Sequence, residues 1–509
     1  NYIDLRNKLI KKGHFFRTSG DTEVVLKSYL EWGEECVKFF EGDFAIAIWD
    51  NSRKRLFLFR DRFGVKPLYY TNSRNFFRFG STLQSIIVKN DIDLSLDEKS
   101  LHMHFSLHAV VPAPDTLFKN IKKVPPGYYL TIDENKKISI IQYWKLESPD
   151  QKKIITNENE ATETIEYLLK ESIEKRLAAS DIDVGVLLSG GLDSSMIVAL
   201  AKQKFPNLKT YSIGFEDDKE EKGNEFIYSD QVVKKYKTDH KKFIIDNSLV
   251  LSKLPKAFEA MSEPMVAQDA VAFYMLSELV RKDVKVILSG QGADEGFAGY
   301  FWYNKINLEK NDYANFLKHY IDRSEVELSE FLNIKFSSNF TNLMIKNKFR
   351  DINAETLLGN VLNFDITTLV VDDPVKRVDN MTMAWGLEAR VPFLDHKLIE
   401  ASVKIDPNIH LKRNGKNILK IISDKLLPKD VITRKKGYFP MPALKFIRGE
   451  YYDFVYDILN SSKCYNRNLY NKDYIKKLLE KPNNHKTAIE GNKLWHAAAT
   501  ELWFQVNLD

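Results

Sequence analysis

The sequence predicts an α/β protein in two parts, a strand-rich unit over residues 1–147 and a doubly wound parallel sheet within residues 148–509. Three observations carry this. Apolar runs at 184–188, 210–215, 241–245 and 284–288 are separated by stretches of helical spacing, the pattern of strands alternating with crossover helices. Two of these runs stop at glycine turns, Ser189-Gly190-Gly191 and Ser289-Gly290-Gln291-Gly292, and ligands of such sheets sit beyond the carboxyl ends of the strands. Residues 43–60 read differently, as two apolar strands split by the turn Asp50-Asn51-Ser52.

In chain order, the hairpin strands at 43–50 and 55–60 are apolar on both faces, which predicts a sheet covered on each side. Further short strands end near Tyr70 and Phe79. His102, His104 and His108 crowd one segment. On a helix, His104 and His108 share a face while His102 points elsewhere, and no zinc set is completed nearby, so a packed, hydrogen-bonded segment is expected. Residues 146–161 are polar, contain Pro149 and lack periodicity, as an interdomain linker does. Residues 162–179 carry Ile165, Leu168, Leu169, Ile173 and Leu177 at amphipathic helical spacing. From about residue 308 the chain reads as mostly helical and rich in Lys and Asn.

The stretch Val184-Gly-Val-Leu-Leu-Ser-Gly-Gly-Leu-Asp-Ser-Ser195 organises the rest. A buried strand enters a tight turn, and helical spacing resumes over 194–202, with Ser194 or Asp193 suited to cap the first turn. Backbone N–H groups then line up at the positive end of a helix, which makes an anion cradle. Ser189, Ser194 and Ser195 add donors, Gly190 and Gly191 permit close approach, and Asp193 can hold Mg²⁺ against phosphates. No lysine follows the glycines, so this is not the Gly-x-x-x-x-Gly-Lys-Ser/Thr phosphate loop. The second loop repeats the design with Asp294 and Glu295, an oxygen pair suited to a cation shared with phosphates.

Ser-Gly-Gly-Leu-Asp-Ser resembles the pyrophosphate loop of the ATP pyrophosphatases, and its surroundings resemble the asparagine synthase family of glutamine-dependent amide-forming ligases. Gly42-Asp43-Phe44-Ala45, residues 60–70 and Val124-Pro125-Pro126-Gly127 resemble that family's glutaminase domain. The resemblance implies an αββα sandwich of the N-terminal-nucleophile type, truncated at its start, followed by an ATP pyrophosphatase domain. The family opens with a cysteine after the initiator methionine. Asn1-Tyr2 resembles the tail of its Asn-Gly-Glu-Ile-Tyr-Asn-Tyr motif, so the nucleophile is expected upstream. Cys36 is read as a small core residue, and Asp21 matches the aspartate that pairs with the glutamine α-amino group.

The resemblance further implies nucleotide contacts at Leu188, Ile213, Ser289 and Gly290, a metal-side carboxylate at Asp294, and an acyl-transfer residue at Glu295. Lys436 matches a lysine that stabilises charge on the adenylate, and residues 371–395, with Arg390, match the substrate-side segment. ATP and Mg²⁺ are the implied cofactors, and glutamine and a carboxylate acceptor the other substrates. Gln291, Asn380 and Trp385-Gly386 depart from the asparagine-forming pattern and look closer to the N-acetylglutaminylglutamine amidotransferases, as do residues 79–83, 108–114 and 436–445. Plain asparagine synthesis, a thiolating ATP pyrophosphatase, and an amide cyclase or non-catalytic homologue are the rivals.

Composition narrows the setting. The 509 residues are 44% hydrophobic and 28% charged with a formal charge of +5, so the basic pairs read as solvated helix faces rather than a nucleic-acid footprint. Two unrelated cysteines suggest a reducing, cytoplasmic compartment, and no apolar run is long enough for a membrane helix. A homodimer is left open.

Overall fold

A computed structural model of the chain describes residues 1–179, 183–217, 219, 222–308, 312–434 and 441–509. In chain order its strands are β1 (Ala45–Asp50), β2 (Arg55–Arg60), β3 (Tyr69–Asn72), β4 (Phe77–Gly80), β5 (Lys122–Lys123), β6 (Tyr128–Asp133) and β7 (Ile138–Gln142), then β8 (Val184–Leu187), β9 (Lys209–Phe215), β10 (Asp239–Ile245), β11 (Val286–Leu288) and β12 (Glu388–Arg390).

The first seven make two antiparallel sheets, ordered β1-β2-β6-β7 and β4-β3-β5. Side chains alternate across a strand, and here the alternation builds the layers. Phe57, Phe59 and Tyr129 pack with Leu5, Leu9, Val24 and Tyr29 of helices Tyr2–Lys11 and Asp21–Trp32. Leu58 and Leu130, facing the other way, meet Leu68, Tyr70 and Val124 around the second sheet. Tyr69 turns outward to Leu83, Ile86 and Leu101, so helices cover that face too. The expected coverage on both faces holds for β2 but not β1, where Trp49 is 55% exposed. The short second sheet reaches across β2 and β6 and stops before the edge strand. Cys36 is fully buried, and burial pushes its thiol up to about 12.

The remaining strands form one parallel sheet ordered β10-β9-β8-β11-β12. Strand order reverses between β8 and β11, the topological switch point at which such sheets bind ligands. The fifth strand, β12, was not anticipated; three residues carry no readable period. Helix Glu158–Ala178 starts earlier than its apolar spacing suggests, because the Asn157 side chain caps the N–H groups of Asn159 and Glu160. Ile165, Leu169 and Ile173 of this helix pack with Met196 and Ile197 of helix Leu192–Ala201.

The histidine segment departs from a single helix. Helix Glu98–Ser106 ends before His108, which lies at φ +55°. His102 meets Thr341 and Glu325, His104 meets Thr500, and His108 meets Asp322 at 2.9 Å, so the packed, hydrogen-bonded reading stands while the shared helical face does not. Among the described residues no helix is long and apolar enough to cross a membrane.

An ionic cluster joins the antiparallel part to the parallel part. Lys123 of β5 places its ammonium 2.6 Å from Asp372, 3.2 Å from Glu263 and 2.6 Å from the Val111 carbonyl, and Tyr69 donates to Glu263. Lys376 lies 3.5 Å from Glu263, and nearby Lys66 pairs with Asp379 at 2.8 Å.

Candidate active site

The carboxyl ends of β8 and β11 bring the two glycine loops together. Ser189 follows β8, and the chain turns at Gly190 (φ +76°), where a Cβ would stand 2.7 Å from the Ser229 nitrogen. Helix Leu192–Ala201 then begins with Gly191 at its N-cap and no side-chain cap. Ser189 Oγ accepts from the Gly191 N–H and lies 3.1 Å from Ser194 Oγ, while Ser195 is buried behind them. Leu188 and Ile213 are buried beneath the turn, and Ser212 donates to the Leu188 carbonyl.

The second loop abuts the first. A Cβ at Gly290 would stand 3.1 Å from Asp193 Cβ, and the Ser289 N–H donates to the Arg390 carbonyl at 2.9 Å, tying the loop to β12. Helix Ala293–Gly296 carries Asp294 and Glu295. Glu295 is buried and accepts from the Tyr300 hydroxyl at 2.6 Å. Burial, and then the Glu295 carboxylate, pushes the Tyr300 hydroxyl well above its ordinary range. The Tyr300 ring stacks on Trp302 with centroids 4.1 Å apart, forming an aromatic wall beside Glu295.

Two basic residues that the sequence reading passed over complete the group. Lys416 places its ammonium 2.7 Å from Asp193 and 2.7 Å from Asp294. Burial opposes its charge, but the two carboxylates outweigh burial and hold its pKa above the ordinary lysine value. Arg434 contacts the Gly190 carbonyl at 3.3 Å, pairs with Glu225 and lies 4.5 Å over the Tyr228 ring. A Gly415-Lys416 pair opening helix Asn417–Asp424 was the available signal for the first; the basic composition of that region hid it.

The structure does not gather every expected residue here. Trp385 precedes β12 and so lies toward the amino ends of the strands, packed on Tyr274 with Lys253 and Arg281 over its ring. This sets Trp385 at the amino end of the edge strand β12, away from the loops at the carboxyl ends, against its reading as an acceptor-pocket residue. Asn380 is buried, accepts from the Ser262 N–H at 2.9 Å, and lines a small cavity with Arg60, Tyr69, Lys123 and Asp379 between the two parts. Arg390 directs its guanidinium to Glu388 and the Arg176 carbonyl. Gln291 stays in the second loop, partly exposed. Asp21 is the exposed first residue of helix Asp21–Trp32. Lys436 lies outside the described residues.

Residues 164–505 match the asparagine synthase family model, and residues 1–144 match the glutamine amidotransferase domain model. The chain is 30% identical over 550 residues to asparagine synthetase (glutamine-hydrolyzing) 1 of Bacillus subtilis, covering 100% of this chain and 84% of that protein. It is 32% identical over 463 residues to asparagine synthetase (glutamine-hydrolyzing) 3 of the same organism, covering 86% and 74%. A solved NH3-dependent NAD synthetase of Campylobacter jejuni aligns with 42% of this chain and 96% of its own, at 13% identity and a TM-score of 0.22.

Proposed function

From the premise that the chain belongs to the asparagine synthase family, we propose that it is a carbon–nitrogen ligase that adenylates a carboxylate with ATP and aminates it with ammonia derived from glutamine. The observation that carries this is the convergence of Asp193, Asp294 and Lys416 at the mouth of an uncapped helix, on adjacent strand ends at the switch point. Carboxylates that meet on one cation beside a phosphate cradle suit the oxygen-ligand preference of Mg²⁺. Held by Asp193 and Asp294, Mg²⁺ would neutralise polyphosphate charge.

The residues divide the work. The N–H groups opening helix Leu192–Ala201, with the hydroxyls of Ser189 and Ser194, hold the β- and γ-phosphates, and Arg434 braces that turn from behind. A carboxylate oxygen of the acceptor attacks the α-phosphorus, the bond to the β-bridging oxygen breaks, and pyrophosphate stays in the cradle. Lys416 offsets the charge arriving on it. Ammonia then attacks the acyl carbon, AMP leaves, and the nitrogen gives up a proton to reach the amide. Glu295, oriented by the Tyr300 hydroxyl, is placed to take that proton.

The acceptor we propose is N-acetylglutaminylglutamine. A free amino acid brings an ammonium that needs an acid beside it, whereas a blocked dipeptide is longer and has none. Neutral Gln291 in the second loop and the Tyr300–Trp302 stack next to Glu295 favour the blocked dipeptide. An ammonium left without its partner costs about 1–3 kcal/mol or more, so pyrophosphate release with ammonia should be over about tenfold faster with the blocked dipeptide than with aspartate. Equal rates, or a preference for aspartate, would return the protein to asparagine synthesis.

A further inference from the structure

We propose that Lys416 is a built-in counter-ion for the divalent-cation site. Its ammonium stands between Asp193 and Asp294, so the site takes a metal only together with a polyphosphate that draws the lysine away. The inference rests on the reading of Asp193 and Asp294 as the carboxylates of the metal site.

The geometry is that of a cation in a ligand's place. Lys416 Nζ lies 2.7 Å from an oxygen of each carboxylate, in a side chain only 8% exposed. Ammonium carries three donors and no acceptor, and two of the three are spent on the residues a metal would need. The backbone is built to deliver it. Lys416 sits at φ +54°, its N–H donates to the Phe297 carbonyl at 2.9 Å, and it immediately precedes helix Asn417–Asp424. A Cβ at Gly299 would stand 2.2 Å from both Asp294 Oδ1 and Lys416 Cε, so the absence of a side chain there leaves the lysine its channel.

Two carboxylates drawn to one point repel unless a cation lies between them or one is protonated. Lys416 lies between them, so the two carboxylates stand close together with a cation already in place. A divalent cation arriving alone must eject a paired ammonium from a largely buried position, and the ammonium then needs another acceptor. A nucleotide polyphosphate supplies one a short side-chain swing away. Metal and nucleotide affinities are therefore coupled positively, and the coupling is reciprocal.

The test uses Mn²⁺ as the probe, followed by water-proton relaxation, which distinguishes protein-held Mn²⁺ from Mn²⁺ on free nucleotide. The wild-type protein should hold Mn²⁺ weakly alone and strongly with α,β-methylene-ATP. Lys416→Met, checked for folding by circular dichroism, should hold Mn²⁺ at least about tenfold more tightly than wild type without nucleotide. Asp294→Asn in that background should undo the gain, and Lys416→Arg, which keeps the charge, should not show it. Lys416→Met binding Mn²⁺ no more tightly than wild type would overturn the inference. So would a wild-type protein that binds Mn²⁺ as well without the analogue as with it, a measurement that needs no variant. If Mn²⁺ binds to neither protein even with the analogue, the metal assignment falls and takes the inference with it.

Discussion

Lys416 and Lys123 each sit between two carboxylates, yet the two clusters do opposite things. Lys416 meets Asp193 and Asp294, which are 20% and 19% exposed and stand in the first turns of the helices that follow the two glycine turns. Lys123 meets Glu263 and Asp372 in a cluster only 2–4% exposed, closed further by the Val111 carbonyl and the Tyr69 hydroxyl. The first arrangement can exchange its cation for a ligand. The second is largely closed from water and joins the antiparallel sandwich to the parallel sheet. An ionic triad is thus a site or a seam according to what surrounds it, because access to water decides whether its charges can be re-partnered.

Breaking each cluster should separate the two roles. Asp193→Ala should lower ammonia-dependent pyrophosphate release by about 10⁴-fold or more, over 5 kcal/mol of barrier, with the melting temperature nearly unchanged. Near-normal turnover in a folded variant would remove Asp193 from the site. Lys123→Met should act in reverse. It removes the nearest cation from two buried carboxylates and leaves them only Lys376, 3.5 Å from Glu263 and 4.0 Å from Asp372, which costs about 3–5 kcal/mol of stability, and ammonia-dependent turnover per folded molecule should stay within severalfold. Calorimetry showing an unchanged melting temperature would refute the seam.

A third variant sharpens the contrast with pH. Asp365 is fully buried and accepts from the Tyr303 hydroxyl at 2.6 Å and from the Tyr320 hydroxyl. Burial raises its carboxyl to about 6 despite those donors. Its folded pKa lies above its unfolded value, so its contribution is fully present below about pH 4 and is lost as pH rises through about 6. Across that window the loss is about 3 kcal/mol, and Asp365→Asn should remove this part of the stability–pH slope in urea titrations. The smallest expected effect on function is at Trp385. Because its ring packs on Tyr274 beneath Lys253 and Arg281, Trp385→Ala should cost about 1–2 kcal/mol of stability and leave acceptor kcat/KM within twofold. A changed acceptor preference would restore Trp385 to the pocket.

Much of the parallel sheet was readable because its signals are local. The runs that became β8, β9, β10 and β11 are short, apolar and punctuated by glycine, and Ser189–Ser195 names its own turn. The edge exposure of β1 was not readable, since nothing within Ala45–Asp50 says how far a second sheet will reach. The shared helical face assigned to His104 and His108 failed for a local reason: the chain leaves helical geometry at Leu107 and is left-handed at His108.

By itself the sequence determined the two strand-end loops, their order and the residue types they carry, since a glycine turn, a helix start and an acid are each written within a few residues. Only the tertiary structure decided which distant side chains join them. It brought Lys416 to Asp193 across 223 residues, and set Trp385 at the amino end of the edge strand β12. The physical reason is that hydrogen bonds and turn sterics act between near neighbours in the chain. The partner of a buried charge is chosen by packing between elements, which no local pattern encodes.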